Sequence, residues 1–104
     1  MFIAMNRFKV LPGQEAAFED VWLKRDTHLR DVPGFKAFHL LRGPKSDEHS
    51  LYASHTVWAS REAFEAWTKS ENFRAAHRGA GENKPLYAGH PQFEGFEALG
   101  EVLA

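Results

Sequence analysis

The N-terminus alternates with a period of two. Phe2, Ala4, Asn6, Phe8 and Val10 share one face; Ile3, Met5, Arg7 and Lys9 share the other. This is the pattern of a strand with two unlike faces, and a strand of that kind folds only as part of a sheet covered on its apolar side. Leu11-Pro12-Gly13 breaks the run. From Gln14 the period lengthens, with Phe18, Val21, Trp22 and Leu29 on one helical face and Glu19, Asp20, Lys24 and Asp31 elsewhere. That spacing predicts a helix ending at Val32-Pro33-Gly34. Phe35 to Arg42 reads as a second strand, Gly43 to Ser50 as a polar turn and Leu51 to Trp58 as a third strand, the two strands forming a hairpin. Ser60 is placed to cap a helix bearing Ala63, Phe64 and Trp67. Ser70 is placed to cap a following helical stretch, Glu71 to His77, with Phe73 and Ala76 on its apolar side. Gly79 to His90 reads as a loop. Pro91 to Leu99 reads as a last strand, with Pro91 in its first position.

The order strand, helix, strand, strand, helix, strand predicts an α+β chain. The expected fold is a ferredoxin-like antiparallel sheet with both helices on one face. With 104 residues, no repeats and no linker, the expectation is one domain over residues 1–104. The other sheet face, carrying Ile3 and Met5, is then bare. Bare apolar sheet faces mark interfaces, so a homodimer with sheets packed face to face, a dimeric α/β barrel, is expected.

Composition excludes several classes. Lysine and arginine total 13 against 14 acidic residues, with no basic stripe, so nothing points to nucleic acid. No apolar run is long enough to span a bilayer and no leader pattern opens the chain, so a cytoplasmic location is expected. Cysteine is absent, which removes disulfides and thiolate chemistry. Phosphate-binding loops and nucleophile elbows are missing too. Nine Phe and three Trp in so short a chain first suit the core of a small domain, and would also wall a flat aromatic ligand.

Three residues stand out. Asn6 interrupts an apolar strand face, where its NH2 needs an acceptor from a backbone carbonyl, a water or a ligand. His77 closes a helical segment; it can ligate a metal, or interact favourably with the helix dipole. Trp67 lies ten residues before His77. If the helix is continuous, ten residues are close to three turns and both side chains point the same way; by spacing alone Trp67 reads as a core residue, like Phe64. His28, His39, His49, His55 and His90 show no paired spacing for a multi-histidine metal site. Glu62, Glu65 and Glu71 read as a solvated helix face.

The stretches FIAMNRFKVLPGQEAAFEDVW and TVWASREAFEAWTKSENFRAAH resemble the antibiotic biosynthesis monooxygenase superfamily, and within it the IsdG-type haem-degrading monooxygenases. The discriminating residues are the Asn of "MNRF", the Trp of "FEAW" and the His of "AAH", here Asn6, Trp67 and His77; Trp58 reads as scaffold. The resemblance implies a haem-degrading monooxygenase in which haem is both substrate and cofactor. His77 would be the proximal ligand to haem iron, Trp67 would push the porphyrin out of plane, and Asn6 would be the distal hydrogen-bond donor. O2 and an external electron donor, a reductase or small reductant, would complete the reaction and release iron. Arg78, Lys84 and His90 lie near the expected pocket mouth as candidates for the haem propionates, with His90 an alternative iron ligand. The competing readings are a cofactor-independent monooxygenase of a quinol or polyketide-like aromatic, and a non-catalytic haem-binding protein.

Overall fold

Strand β1 spans Phe2–Val10, as its alternation predicts. Helix α1 spans Glu15–Lys24, followed by β2 (Phe35–Lys45), β3 (Ser50–Trp58), α2 (Arg61–Thr68) and β4 (Tyr87–Glu97). This computed structural model describes residues 1–25, 28–71, 73 and 86–104. The four strands form one antiparallel sheet in the order β2-β3-β1-β4, with β1 paired to both β3 and β4. This is the predicted ferredoxin-like topology, and the two helices cover one face.

Three boundaries differ from expectation. Helix α1 stops at Lys24 because Arg25 is extended (φ −71°, ψ 136°), so Leu29 reaches the core from the connecting segment, not from a helix face. Strand β2 runs through Gly43 and Pro44 to Lys45, which pairs with Ser50 across a register shift. Strand β4 begins at Tyr87, not Pro91. Pro91 is accommodated because β4 is an edge strand whose pairing with β1 slips between Arg7 and Lys9, leaving Gly89, His90 and Pro91 outside the regular ladder.

The serine caps form as predicted. Ser60 Oγ accepts from the Ala63 N–H at 3.1 Å, and Ser70 Oγ accepts from the Phe73 N–H at 3.1 Å. Between them the helix ends at Thr68, with the Lys69 and Ser70 N–H groups closing back on Ala66 and Trp67. The helix bearing Trp67 therefore ends one residue after it, and His77, with most of the helical stretch expected from Glu71 to His77, lies outside the described residues. Helix α2 sits close to the start of β2 because residue 34 is glycine. A Cβ at Gly34 would fall 2.5 Å from Ala63 Cβ, and its φ of +84° disfavours any other residue.

The covered face packs as two separate aromatic clusters. One contains Phe2, Trp58 and Trp67, joined by Phe35, Phe38 and Phe64. The other contains Phe8, Phe18 and Tyr52, joined by Trp22 and Tyr87. Ring centroids lie 5.3 Å apart for Trp58–Trp67 and 5.2 Å for Phe8–Phe18. Trp58 is fully buried and its Nε1 donates to Thr56, consistent with scaffold. Between the clusters the floor of the sheet carries small or polar side chains: Ala4, Asn6 and Ser54.

The opposite face carries Ile3 and Met5, as expected, together with Ala37, His39, Leu41, Leu51, His55, Val57 and Phe96. Leu41 and Phe96 are exposed. His39 and His55 are register partners with ring centroids 5.5 Å apart, and His55 Nδ1 is buried without a hydrogen bond to another described residue. Burial, reinforced by neighbouring His39, holds the His55 pKa below its ordinary value and favours the neutral ring.

Candidate functional site

The gap between the clusters is a cavity. It is lined by Ala4, Asn6, Ser54 and Thr56 from the sheet, Trp22 and Arg25 from the end of α1, and Leu29, Phe38, Phe64 and Trp67 around them. Two of the three singled-out residues, Asn6 and Trp67, thus share one wall system. His77, the third, lies outside the described residues, as do Arg78 and Lys84.

Each wall has a local cause. Asn6 points inward because β1 keeps strict period, with Ala4 and Phe8 on the same face. No hydrogen bond ties its carboxamide to another described residue, so the NH2 and the carbonyl are free to meet a ligand. Trp67 is brought in by the last turn of α2, against Trp58, Phe64 and Phe73. Trp22 and Phe38 stack at 6.0 Å and 13°, bridging the two clusters over the cavity.

Arg25 escaped the sequence reading. Its guanidinium carbon sits 4.5 Å from the Trp22 ring centroid, and among the described residues no carboxylate pairs with it. Burial pushes its pKa down, an effect opposed by Tyr87, and an arginine remains cationic despite such a shift. It is the charged side chain among the described cavity residues, and it points the cavity towards an anionic group. The sequence carries no signal for Arg25, because the helical spacing continues past it to Leu29.

The other histidines do not join the cavity. His39 and His55 occupy the opposite sheet face, His49 lies in the β2–β3 turn and His90 is exposed on edge strand β4. His90 as an iron ligand has no support from this placement. Among the described residues no group of three or more His, Cys, Asp or Glu is positioned to hold a metal ion. Glu62, Glu65 and Glu71 are exposed, as read from sequence.

The residue chemistry fits a haem. Aromatic faces line the cavity, and among the described residues no carboxylate pairs with its arginine and no hydrogen bond commits the amide on its floor. The volume is tighter, at about 60 Å³, room for a few waters. A ligand of drug size or larger needs roughly 300 Å³ or more, so a porphyrin enters this space only with side chains displaced from these positions.

Comparisons with known proteins place the chain in a family. A profile of the antibiotic biosynthesis monooxygenase family matches residues 1–79. A haem oxygenase (mycobilin-producing) of Mycobacterium tuberculosis is 33% identical over 100 residues, covering 96% of this chain and 90% of the relative. A haem-degrading monooxygenase of Bacillus thuringiensis is 30% identical over 77 residues, covering 74% of this chain and 71% of the relative. Among solved structures, the haem degrader MhuD of M. tuberculosis, with two haems bound in its active site, superposes with a TM-score of 0.74 at 28% identity, covering 98% of this chain and 99% of that one.

Proposed function

Since the chain belongs to the antibiotic biosynthesis monooxygenase family, we propose that it binds haem and opens the porphyrin ring oxidatively, using O2 and external electrons and releasing iron. The observation that carries this reading is the lining of one aromatic-walled cavity by both Asn6 and Trp67, in a chain whose relatives are haem-degrading enzymes. Haem is the substrate, and its own iron supplies the redox chemistry with oxygen and electrons.

The chain's residues then have distinct tasks. His77 would hold the haem iron through an imidazole nitrogen. Trp67, held by the rings of Trp58, Phe64 and Phe73, would be a rigid wall pressing on a porphyrin. Distorting the macrocycle is one of the means by which a protein tunes haem. Asn6 offers a neutral NH2 at the cavity floor, orienting a ligand without adding charge. Arg25 pairs with a haem propionate at the cavity rim.

The central test is binding. Haemin titrated into the apo-protein is expected to give a saturable Soret band, and His77→Ala is expected to lose it. No saturable band in the wild type would refute the haem reading and leave a cofactor-independent monooxygenase as the alternative. A bound haem that persists indefinitely with ascorbate or a reductase in air would instead indicate a haem-binding protein without turnover.

The role of Arg25 is separable. Arg25→Gln is expected to weaken haemin binding by about tenfold, the loss of one charge-assisted hydrogen bond. The same substitution should have no effect on haem dimethyl ester, which lacks the carboxylates. Equal losses for both ligands would assign Arg25 to packing on Trp22.

The bare sheet face carries the proposed homodimer. Strand β3 turns its aliphatic residues Leu51, Ala53 and Val57 outward and its hydroxyl-bearing residues inward, leaving an apolar surface with exposed Leu41 and Phe96. No helix among the described residues is long and apolar enough to cross a membrane. A cytoplasmic location and a reductase or small reductant as electron source complete the reading.

A further inference from the structure

Strand β3 presents four hydroxyl groups to the covered face of the sheet: Ser50, Tyr52, Ser54 and Thr56. Three are committed. Ser50 Oγ donates to Glu15 Oε2 at 2.8 Å, and the Tyr52 hydroxyl donates to Glu19. Thr56 Oγ1 accepts from Trp58 Nε1 at 2.9 Å and reaches the Ala4 carbonyl at 3.4 Å. The fourth, Ser54, has no hydrogen-bond partner among the described residues, although its residue is only 7% exposed. It lines the cavity and is the direct register partner of Asn6 on β1.

The Ser54 hydroxyl opens into the cavity, where a ligand or a water can meet it, whereas valine or alanine would suit a strand as well or better and offer no polar contact there. Directly opposed residues on one face of an antiparallel pair place their Cβ atoms roughly 5 Å apart, so one small ligand can reach both side chains. Asn6 brings two N–H donors and a carbonyl; Ser54 brings one rotatable O–H that either donates or accepts. Around them the cavity is aromatic or aliphatic apart from the committed Thr56 hydroxyl and the Arg25 guanidinium.

We propose that Ser54 is a second ligand-contacting residue, which together with Asn6 forms a two-point polar floor that hydrogen-bonds a small ligand of the haem iron. The inference rests on the haem reading above. One donor leaves a small ligand free to pivot; two donors from adjacent strands fix its direction.

The test uses the haem-loaded protein with azide on ferric iron and carbon monoxide on ferrous iron, alongside thermal unfolding of the apo-protein. Ser54→Ala and Ser54→Val are expected to weaken azide binding by about three- to tenfold, the loss of one hydrogen bond. Both should move the C–O stretch to higher frequency, and Ser54→Thr, which keeps the hydroxyl, should restore both readouts. Apo-protein melting temperatures should be unchanged or higher in the valine variant, since no hydrogen bond to a described residue is lost. Unchanged azide affinity and C–O frequency in Ser54→Ala and Ser54→Val would overturn the proposal while leaving haem binding intact. A lower apo melting temperature in both variants would overturn it in favour of a structural hydroxyl. A wild-type protein that takes up no haem would overturn it together with the reading beneath it.

Discussion

Asn6→Ala is expected to stop ring opening while leaving haem bound and the fold intact. The carboxamide holds no hydrogen bond to another described residue, so removing it breaks no protein contact of that kind. The apo-protein should lose less than about 1 kcal/mol of stability, within the range of one net hydrogen bond. The transition state, by contrast, would lose a preorganised donor in a cavity with little water, where such a group is worth about 100-fold or more in rate. Single-turnover decay of the Soret band with ascorbate in air checks this, with haemin affinity and melting temperature measured on the same sample. A variant degrading haem at the wild-type rate would remove Asn6 from the chemistry. Lost affinity with an intact melting temperature would recast it as a binding group.

Trp67→Ala should damage both the fold and the activity. The ring is buried, with centroids 4.8 Å from Phe73 and 5.3 Å from Trp58. Truncating a core tryptophan costs about 3–5 kcal/mol. For a chain of this size that lowers the melting temperature by about 12 °C or more. Stability loss alone cannot identify a wall that bends the porphyrin, so Trp67→Phe is the informative companion. Phenylalanine keeps an aromatic ring in the cluster and should retain most of the stability, while the shorter side chain presses less on a bound ring. The expected result is a folded, haem-binding Trp67→Phe variant with slower ring opening and a different product ratio. Wild-type rate and products would reduce Trp67 to a core residue.

The sequence disclosed most where period and environment agreed. Strand β1 was legible end to end because each alternate residue faces the same packed side, and Asn6 stood out because it broke that rule. The end of α1 was hidden. Leu29 lies at a spacing that extends the helical pattern, and no breaker appears before Pro33, yet the chain becomes extended at Arg25. The direction of Arg25 depends on that stop, so its place at the cavity could not be read in advance. The start of β4 was hidden for the opposite reason: Gly89 and Pro91 look like punctuation, and an edge strand with a slipped register tolerates both. Ser54 was invisible because the outward face of β3 is the more aliphatic one. Local pattern alone would turn Leu51, Ala53 and Val57 towards the helices, and pairing with β1 decides the matter the other way.

A core filled at both ends and hollow between them limits how stable this domain can become while it still works. Ala4, Asn6 and Ser54 are where a bulkier apolar residue could join the two aromatic clusters into one. Selection for thermal tolerance alone would favour such substitutions, because each adds buried apolar surface where little is now gained. The resulting protein would melt later, and displacing side chains would no longer open room for a ring. Stability and activity therefore compete for the same few floor positions, and a stabilised variant that keeps its activity must gain its stability elsewhere, on the helix surfaces or the edge strands.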